Sequence, residues 1–374
     1  MADLLLELLS EEIPSGMQLQ AAADLKKLTV SGFLKFGLSF ESIGAFATPR
    51  RLTLTVTGLA TQTQSIKEKR RGPRVGAPDI ALEGFIRSLG IKKSELFKRL
   101  EKKGEFFFAQ VESPSHSAAH VISETVSSSI INFPWRKSMR WGNGNLKWIR
   151  PLHSIVCILT DSGRHQIVPL EVDGVISGNT SYGHRFMAPE GFEVHSFEDY
   201  ERKLKSAKVI LDSDKRSEII WNQATNLAFA QGLEVVKDQE LLDEISGLVE
   251  WPVALLGKID NKFLNLPKEV LQVSMREHQK FFSVIEPTSS KICSYVAVAN
   301  IETQDNGEAI IRSNGRVLKA RLTDAEFFWK NDLDFIKHNG FKGMRAKLEE
   351  VTFHYKLGSQ SARVSRLVQL AEKM

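Results

Sequence analysis

The stretch Arg51-Leu52-Thr53-Leu54-Thr55-Val56-Thr57-Gly58 sets the fold class. Leu52, Leu54 and Val56 alternate with three threonines. This is the period-two pattern of a strand with one buried face, because successive side chains of an extended chain point to opposite sides. Arg50 and Arg51 stand at its entrance. Toward the N-terminus, residues 3–9 form a short apolar run. Pro14 then opens a helix that places Met17, Ala21, Leu25 and Leu28 at helical spacing. Strand and helix therefore mix from the start.

Working toward the C-terminus, Leu82, Phe85, Ile86 and Leu89 fall at i, i+3, i+4 and i+7 between Pro78 and Gly90, predicting a short amphipathic helix closed by glycine. Ser94 can cap a second helix, and 105–112 reads as a strand. After a Gly/Asn-rich turn at 142–145 the pattern predicts strands at 154–160 and 166–172. Ser196 and Asp199 make a capping box for a helix with Phe197, Tyr200 and Leu204 on one face. A strand at 208–211 and helices at 215–232 and 239–246 follow. Next come a strand at 253–259, a helix at 268–279 opened by Pro267, strands at 281–285 and 292–299, and a helix around 316–330. The last thirty residues read as helical and stop at Met374 inside an apolar-periodic stretch, as a truncated chain would. The class is α+β, built from several small mixed helix/sheet modules and ending in a helical segment. The expected boundaries are a 1–65 α+β module, a 66–130 basic module, a 131–335 mixed region and a 336–374 helical linker.

The chain has 374 residues, 50 Lys+Arg against 45 Asp+Glu, and is 42% apolar and 25% charged. These are proportions of a water-soluble globular protein rather than of a disordered, collagenous or disulfide-rich one. No run approaches ~18 consecutive apolar residues, so no membrane span is expected, and nothing near Leu4–Leu6 resembles a secretory signal. A cytoplasmic location and reduced Cys157 and Cys293 follow as expectations. Charge is uneven: residues 1–150 hold 22 basic and 14 acidic side chains, whereas 151–374 hold 28 and 31. The excess is densest over 67–103, with 12 basic against 5 acidic. Such a patch attracts polyanions, or is simply a solvated face.

Neither a Gly-x-x-x-x-Gly-Lys loop, a Gly-x-Gly-x-x-Gly fingerprint nor a Gly-x-Ser-x-Gly elbow occurs. Glu277-His278 lacks a second histidine at helical spacing, so no metal site is expected. The segment 135–150 interleaves Trp135, Trp141 and Trp148 with Arg136, Lys137, Arg140, Lys147 and Arg150. Cations for phosphates beside rings for unpaired bases suit RNA, although half-buried tryptophans with arginines laid over them give the same pattern. His184-Arg185 joins a titratable ring to a guanidinium in a glycine-bearing loop.

Several motifs in fixed order carry a resemblance. They are Ser10-Glu11-Glu12-Ile13-Pro14, Thr48-Pro49-Arg50-Arg51-Leu52, Lys137-Ser138-Met139-Arg140-Trp141, Gly183-His184-Arg185-Phe186, Leu248-Val249-Glu250-Trp251-Pro252 and Arg321-Leu322-Thr323-Asp324-Ala325-Glu326-Phe327-Phe328. The chain resembles the beta subunit of bacterial, alpha2beta2-type glycyl-tRNA synthetase, over its N-terminal half. It departs from the family pattern at Ser313-Asn314-Gly315, and the family's subunit is about twice this length.

The resemblance implies modules partly similar to the B3/B4 domains of the phenylalanyl-tRNA synthetase beta subunit. It also implies a heterotetramer in which an alpha subunit holds ATP and Mg and makes the adenylate, while this subunit recognises and positions tRNA(Gly). No catalytic residue or cofactor is expected on this chain. The candidate tRNA contacts are Arg50, Arg51, Lys69, Arg70, Arg71, Arg74, Lys137, Arg140, His184 and Arg185, with 67–74 expected as a loop. One rival is an assembly scaffold using apolar surface at 106–108 or 327–328, runs otherwise expected to lie in their own cores. The other is an editing-type hydrolase using His184 or Glu277-His278.

Overall fold

A computed structural model describes all residues except Ser65, Lys102, Lys103 and Pro114; the side chains of 66–69, 101 and 111–113 are also outside the description. The fold is α+β, with several small sheets and helices that include a long one near the C-terminal end. Two compact units divide the chain, one of residues 1–216 with 246–251 and one of 217–245 with 252–374.

In the first unit the chain runs through β1 (Ala2–Ser10), α1 (Ser15–Phe36), β2 (Ser42–Ala47) and β3 (Arg51–Leu59). It continues through β4 (Ile66–Arg74), α2 (Asp79–Leu89), β5 (Leu96–Glu101), β6 (Gly104–Ser113) and α3 (Ala118–Ile131). It then returns in β7 (Leu152–Asp161), β8 (Arg164–Ile167), β9 (Glu171–Val172) and β10 (Val175–Gly178). The principal sheet has the order β2-β3-β1-β7-β10-β9, with β8 paired to β7. Strand β1 is central and antiparallel to both neighbours, with Leu6 opposite Leu54 and Cys157. Strand β1 thus joins residues on both sides of the boundaries expected at 65 and near 130–150 in one sheet.

Alternation along β1 sends Leu4, Leu6 and Leu8 to a core shared with Leu25 and Phe33 of α1 and Val121, Ile122 and Val126 of α3. Leu5 goes to the opposite face, with Val156 and Ile158 of β7. That second face is covered by α4 (Phe197–Ser206) through Tyr200 and Leu204, after a small hairpin of β11 (Thr180–Tyr182) and β12 (Gly191–Glu193). Strand β3 was expected to bury one face. Leu52, Leu54 and Val56 do so, but Thr53 is equally buried beneath α4, where its hydroxyl meets that of Tyr200 at 2.9 Å. Burial pushes the Cys157 thiol up to about 12.

Residues 208–211 form no strand. Lys208 sits in a turn with a φ of 61°, Val209 and Leu211 are buried, and the Ile210 and Leu211 carbonyls accept from the Arg216 guanidinium at 2.7 and 2.8 Å instead of from a neighbouring strand. Arg216 sits near the start of α5 (Ser213–Phe229). Its other nitrogens donate to the Ala47 and Ser246 carbonyls at 3.0 and 2.9 Å. Gln18 adds a bond to the Gly247 carbonyl at 2.6 Å, so the short segment 246–251 is stitched into this unit.

The smaller sheet of the first unit has the order β4-β6-β5. Two expectations change here. Residues 67–74 are an edge strand rather than a loop, and Ser94 lies in a single 3₁₀ turn, Lys93–Glu95, followed by β5 rather than by a helix. Leu96-Phe97-Lys98-Arg99-Leu100-Glu101 has no alternation of its own; pairing with β6 makes it a strand, an instance of tertiary context overriding local pattern.

The second unit contains β13 (Glu234–Val235), α6 (Gln239–Ser246, whose last residue belongs to the first unit) and β14 (Val253–Lys258). Next come α7 (Lys268–Val273), β15 (Phe282–Ile285), β16 (Ile292–Ala299) and α8 (Glu308–Ala346). The sheet order is β13-β15-β16-β14. The helix expected at 268–279 is α7 continued by a π-helical turn, Ser274–Gln279, that ends at Lys280 in the left-handed region. Leu318 and Leu322 fix α8 to Phe263, Met275 and Tyr295. Helix α8 is longer than the expected 316–330 and is interrupted at Gly340, whose φ of 62° and ψ of 179° break the helical path. Strands β17 (Thr352–His354) and β18 (Gly358–Ser359) and helix α9 (Gln360–Lys373) follow. Among the described residues no helix is long and apolar enough to cross a membrane.

Candidate nucleic-acid interface

The motifs singled out in the sequence converge, but not all at the surface. Arg51 opens β3 on the face covered by α4, and its side chain is closed to solvent. Its Nε lies 3.2 Å from Glu250 Oε1 and its Nη1 lies 3.4 Å from Glu7 Oε2, while Nη1 also donates to the Tyr182 carbonyl at 3.1 Å. Thr48 donates to Glu250 at 2.7 Å, and Ser181 and Tyr200 donate to Glu7. Glu7 Oε1 and Arg51 Nη2 have no hydrogen-bond partner among the described residues.

Burial raises the Glu7 carboxyl above its ordinary range, against the pull of Arg51. Burial also works against the Arg51 charge, but Glu250 and Glu7 outweigh it and hold Arg51 protonated. Arg216 is pushed down to about 10 by burial, with Glu250 and Asp212 opposing. Arg51 is thus the pivot of an internal ion cluster, with its side chain closed to solvent.

His184 is likewise buried. Its ring is fully buried, its backbone N–H donates to the Ala207 carbonyl at 2.9 Å, and its Nδ1 accepts from the backbone N–H groups of Phe186 and Met187, both at 3.3 Å. This is the hydrogen-bonded turn that the glycine-bearing loop also allowed. Gly183 is required by close packing, since a Cβ there would stand 2.3 Å from the Ala188 carbonyl oxygen.

Arg185 and Arg50 lie nearer the solvent beside the acidic residues after β1. Arg185 pairs with Glu11 through Nη2 and with Glu12 through Nη1 at 2.5 Å, and His153 Nε2 reaches Glu11 at 2.9 Å. Arg50 is half-buried, and burial lowers its affinity for its proton. Bonds from His153 and then Arg185 hold the Glu11 carboxyl below its ordinary value of 4.5, with burial opposing.

The unfolded chain therefore binds the Glu11 proton first as pH falls. The stabilisation is present above about pH 4.5 and lost as pH descends through the folded value. Glu11→Gln is expected to flatten the acid limb of stability below pH 4.5 in urea titrations; an acid limb superimposable on that of the parent overturns this assignment.

The three-stranded sheet presents cations differently. Strand β6 carries Phe106, Phe107 and Phe108 along its middle. Arg71 stands opposite Phe108 and Arg74 opposite Phe106 on one side, and Phe97, Lys98 and Arg99 stand opposite Phe108, Phe107 and Phe106 on the other. Arg70, Arg71, Arg74, Lys98 and Arg99 are exposed, Phe97, Phe106 and Phe107 are half-buried, and Phe108 is buried. The Arg71 guanidinium lies 3.7 Å from the centroid of Phe106. The Lys69 side chain lies outside the described residues. Lys98 and Arg99 were missed as candidates; the signal would have been the Phe106–Phe108 run, once β5 was known to pair with it.

Segment 135–150 separates its rings from its cations. Trp148 is wholly buried, tilted against Phe133 at 4.9 Å and edge-on to Trp135 at 5.0 Å, while Trp135 and Trp141 are half-buried on the main core. Backbone bonds between Met139 and Trp148, at 2.8 and 3.2 Å, pin the loop. Arg136, Lys137, Arg140, Lys147 and Arg150 point to solvent. The loop offers phosphate-binding charge over a packed indole base, not free indoles for stacking.

In the second unit, Arg276 of the π-helical turn binds Asp238, Glu240 and Glu277, so Glu277 of the Glu277-His278 pair is engaged in an ion cluster. Among the described residues no group of three His, Cys, Asp or Glu side chains could hold a metal ion.

Comparison with known proteins adds a family. The family model described as glycyl-tRNA synthetase beta subunit matches residues 4–374. The chain is 53% identical over 374 residues to a glycine–tRNA ligase beta subunit of Cereibacter sphaeroides, covering all of this chain and 54% of that protein. It is 53% identical to those of a Ruegeria species over 375 residues and Paracoccus denitrificans over 371, covering 55% and 54% of them. The chain spans about half the length of these curated relatives.

Proposed function

The chain belongs to the glycyl-tRNA synthetase beta subunit family, and we propose from that membership that it recognises and positions tRNA(Gly) for ATP-dependent glycylation at the active site of an alpha subunit, within a cytoplasmic heterotetramer. ATP and Mg belong to that partner in this reading. The observation that carries it is the outward cation set of the first unit: Arg70, Arg71 and Arg74 on β4, and Lys137 and Arg140 on the loop pinned by Trp148. Arginine forks match phosphate oxygens in pairs, and cations on strands or pinned loops lose less freedom on binding than cations on free segments. Arg50 and Arg185 are also candidates; Arg50 is half-buried, and Arg185 pairs with Glu11 and Glu12.

The test is titration of the 374-residue chain with tRNA(Gly) and a non-cognate tRNA across several salt concentrations. Arg70→Glu/Arg71→Glu is expected to weaken binding and to reduce the slope of log K against log salt by about one for each phosphate that is no longer neutralised. Unchanged affinity and slope overturn the assignment to β4.

One observation favours a second reading, that of assembly scaffold. Phe327 and Phe328 of α8, expected in a core, are 60% and 64% exposed. An aromatic pair left in water on a helix is the kind of surface an alpha subunit could cover. Binding of neither tRNA by a folded chain, with capture of an alpha subunit that Phe327→Ser/Phe328→Ser abolishes, would move the function to this reading.

A further inference from the structure

We propose that one face of the β4-β6-β5 sheet takes unpaired RNA nucleotides, with bases stacking on Arg71 where it covers Phe106 and on the outer side of Phe97, whose ring is backed by the buried Phe108, and phosphates held by Arg74 and Arg99. This deepens the tRNA-positioning reading and rests on it. The register sets the face: Arg71, Phe108 and Phe97 form one cross-strand row, and Arg74, Phe106 and Arg99 form the next, two residues along β6. Residues directly opposite share a face, and so do residues two apart on one strand. A β-bulge between Arg71 and Arg74 keeps both on this face, so Arg71 and Arg74 flank Phe106 and Phe108 on the β4 edge while Phe97 and Arg99 flank them on the β5 edge.

Distances within the face agree with this arrangement. The Arg71 guanidinium covers Phe106 at 3.7 Å, Phe97 and Phe108 stack at 6.0 Å with 25° between planes, and Arg99 stands 5.8 Å from the Phe108 centroid. Gly104 leaves room for Arg74, whose Nε would otherwise meet a Cβ at 2.7 Å.

This chemistry selects single strands. A guanidinium lying over a ring presents its second face as a platform for a base. Unpaired bases stack on such platforms, whereas a duplex keeps its bases inside and offers only phosphates. On this face the described charged side chains are Arg71, Arg74 and Arg99, so its charge complements a polyanion.

The experiment is a fluorescence titration of the 374-residue chain with a labelled 12-nucleotide single-stranded RNA, the same sequence as a duplex, intact tRNA(Gly), and a polyglutamate peptide of equal charge. Tighter binding of the single strand than of the duplex is expected. Phe106→Leu, which keeps an apolar side chain in a half-buried position, is expected to lower single-strand affinity about tenfold with little change in salt slope, because stacking is removed and charge is kept. Arg71→Lys keeps the charge and removes the plane, and is expected to weaken the single strand more than the duplex; it carries the test alone if Phe106→Leu unfolds.

Equal affinity for single strand and duplex, or for polyglutamate and RNA, overturns the proposal, as does a single-strand affinity untouched by a folded variant. If tRNA(Gly) still binds in that case, the tRNA-positioning reading survives and only the stacking face falls; if tRNA(Gly) does not bind either, both fall.

Discussion

Replacing Arg51 by Met is expected to lower the unfolding free energy of the first unit by about 3–5 kcal/mol, the cost of leaving buried charge without its partner. The side chains of Arg51 and Glu7 are fully closed to solvent and that of Glu250 nearly so, with Arg51 within 3.4 Å of both carboxylates. Methionine fills much of the same space and removes the cation, so the loss reports electrostatics more than cavity formation.

The pH dependence gives an independent signature. Glu7 already binds its proton more tightly in the folded state than in the unfolded one, so its contribution is full below its ordinary value of 4.5 and is lost as pH rises through the folded value. Without Arg51 that folded value rises further. The stability of Arg51→Met should therefore fall from pH 4.5 toward neutrality more steeply than that of the parent. Arg51→Met/Glu7→Gln should recover part of the loss, because a neutral amide can remain buried while bonded to Ser181 and Tyr200. Urea unfolding at several pH values measures all of this. A shift under about 1 kcal/mol, where exposed pairs fall, would place Arg51 among residues that do not hold the fold.

Trp148→Ala is the second large effect, with an expected loss of about 3–5 kcal/mol from the cavity left between Phe133 and Trp135. The same variant separates packing from recognition. At temperatures where it remains folded, its RNA affinity should match that of the parent, because the indole is not accessible to a base. Substitutions at Lys137 and Arg140 should do the reverse and weaken RNA binding at unchanged stability. A folded Trp148→Ala variant of parental stability whose RNA affinity has dropped tenfold would show that the ring is a stacking platform after all.

Local pattern was enough to specify the period-two strand at 51–58, the helix opened by Pro14, the helix between Pro78 and Gly90, the capped helix after Ser196, and the basic character of the first half. Each is a short-range property: alternation, 3.6-residue spacing, a cap or a count of charges is complete within a few neighbouring residues.

Where chemically identical side chains end up was settled only by the folded arrangement. Arg50 and Arg51 are adjacent and alike, yet strand alternation and two carboxylates distant in sequence, Glu7 and Glu250, bury only the second completely. Trp135, Trp141 and Trp148 look alike in an interleaved segment, but only the last is sealed, because the Met139–Trp148 bridge folds the loop back on its own indole. Residues 96–101 pair with β6 as a strand, whereas in 208–211 the Ile210 and Leu211 carbonyls accept from Arg216 and pair with no strand. Backbone hydrogen bonds and buried charges must find partners wherever the chain brings them, and those partners lie beyond the range over which a sequence pattern can be read.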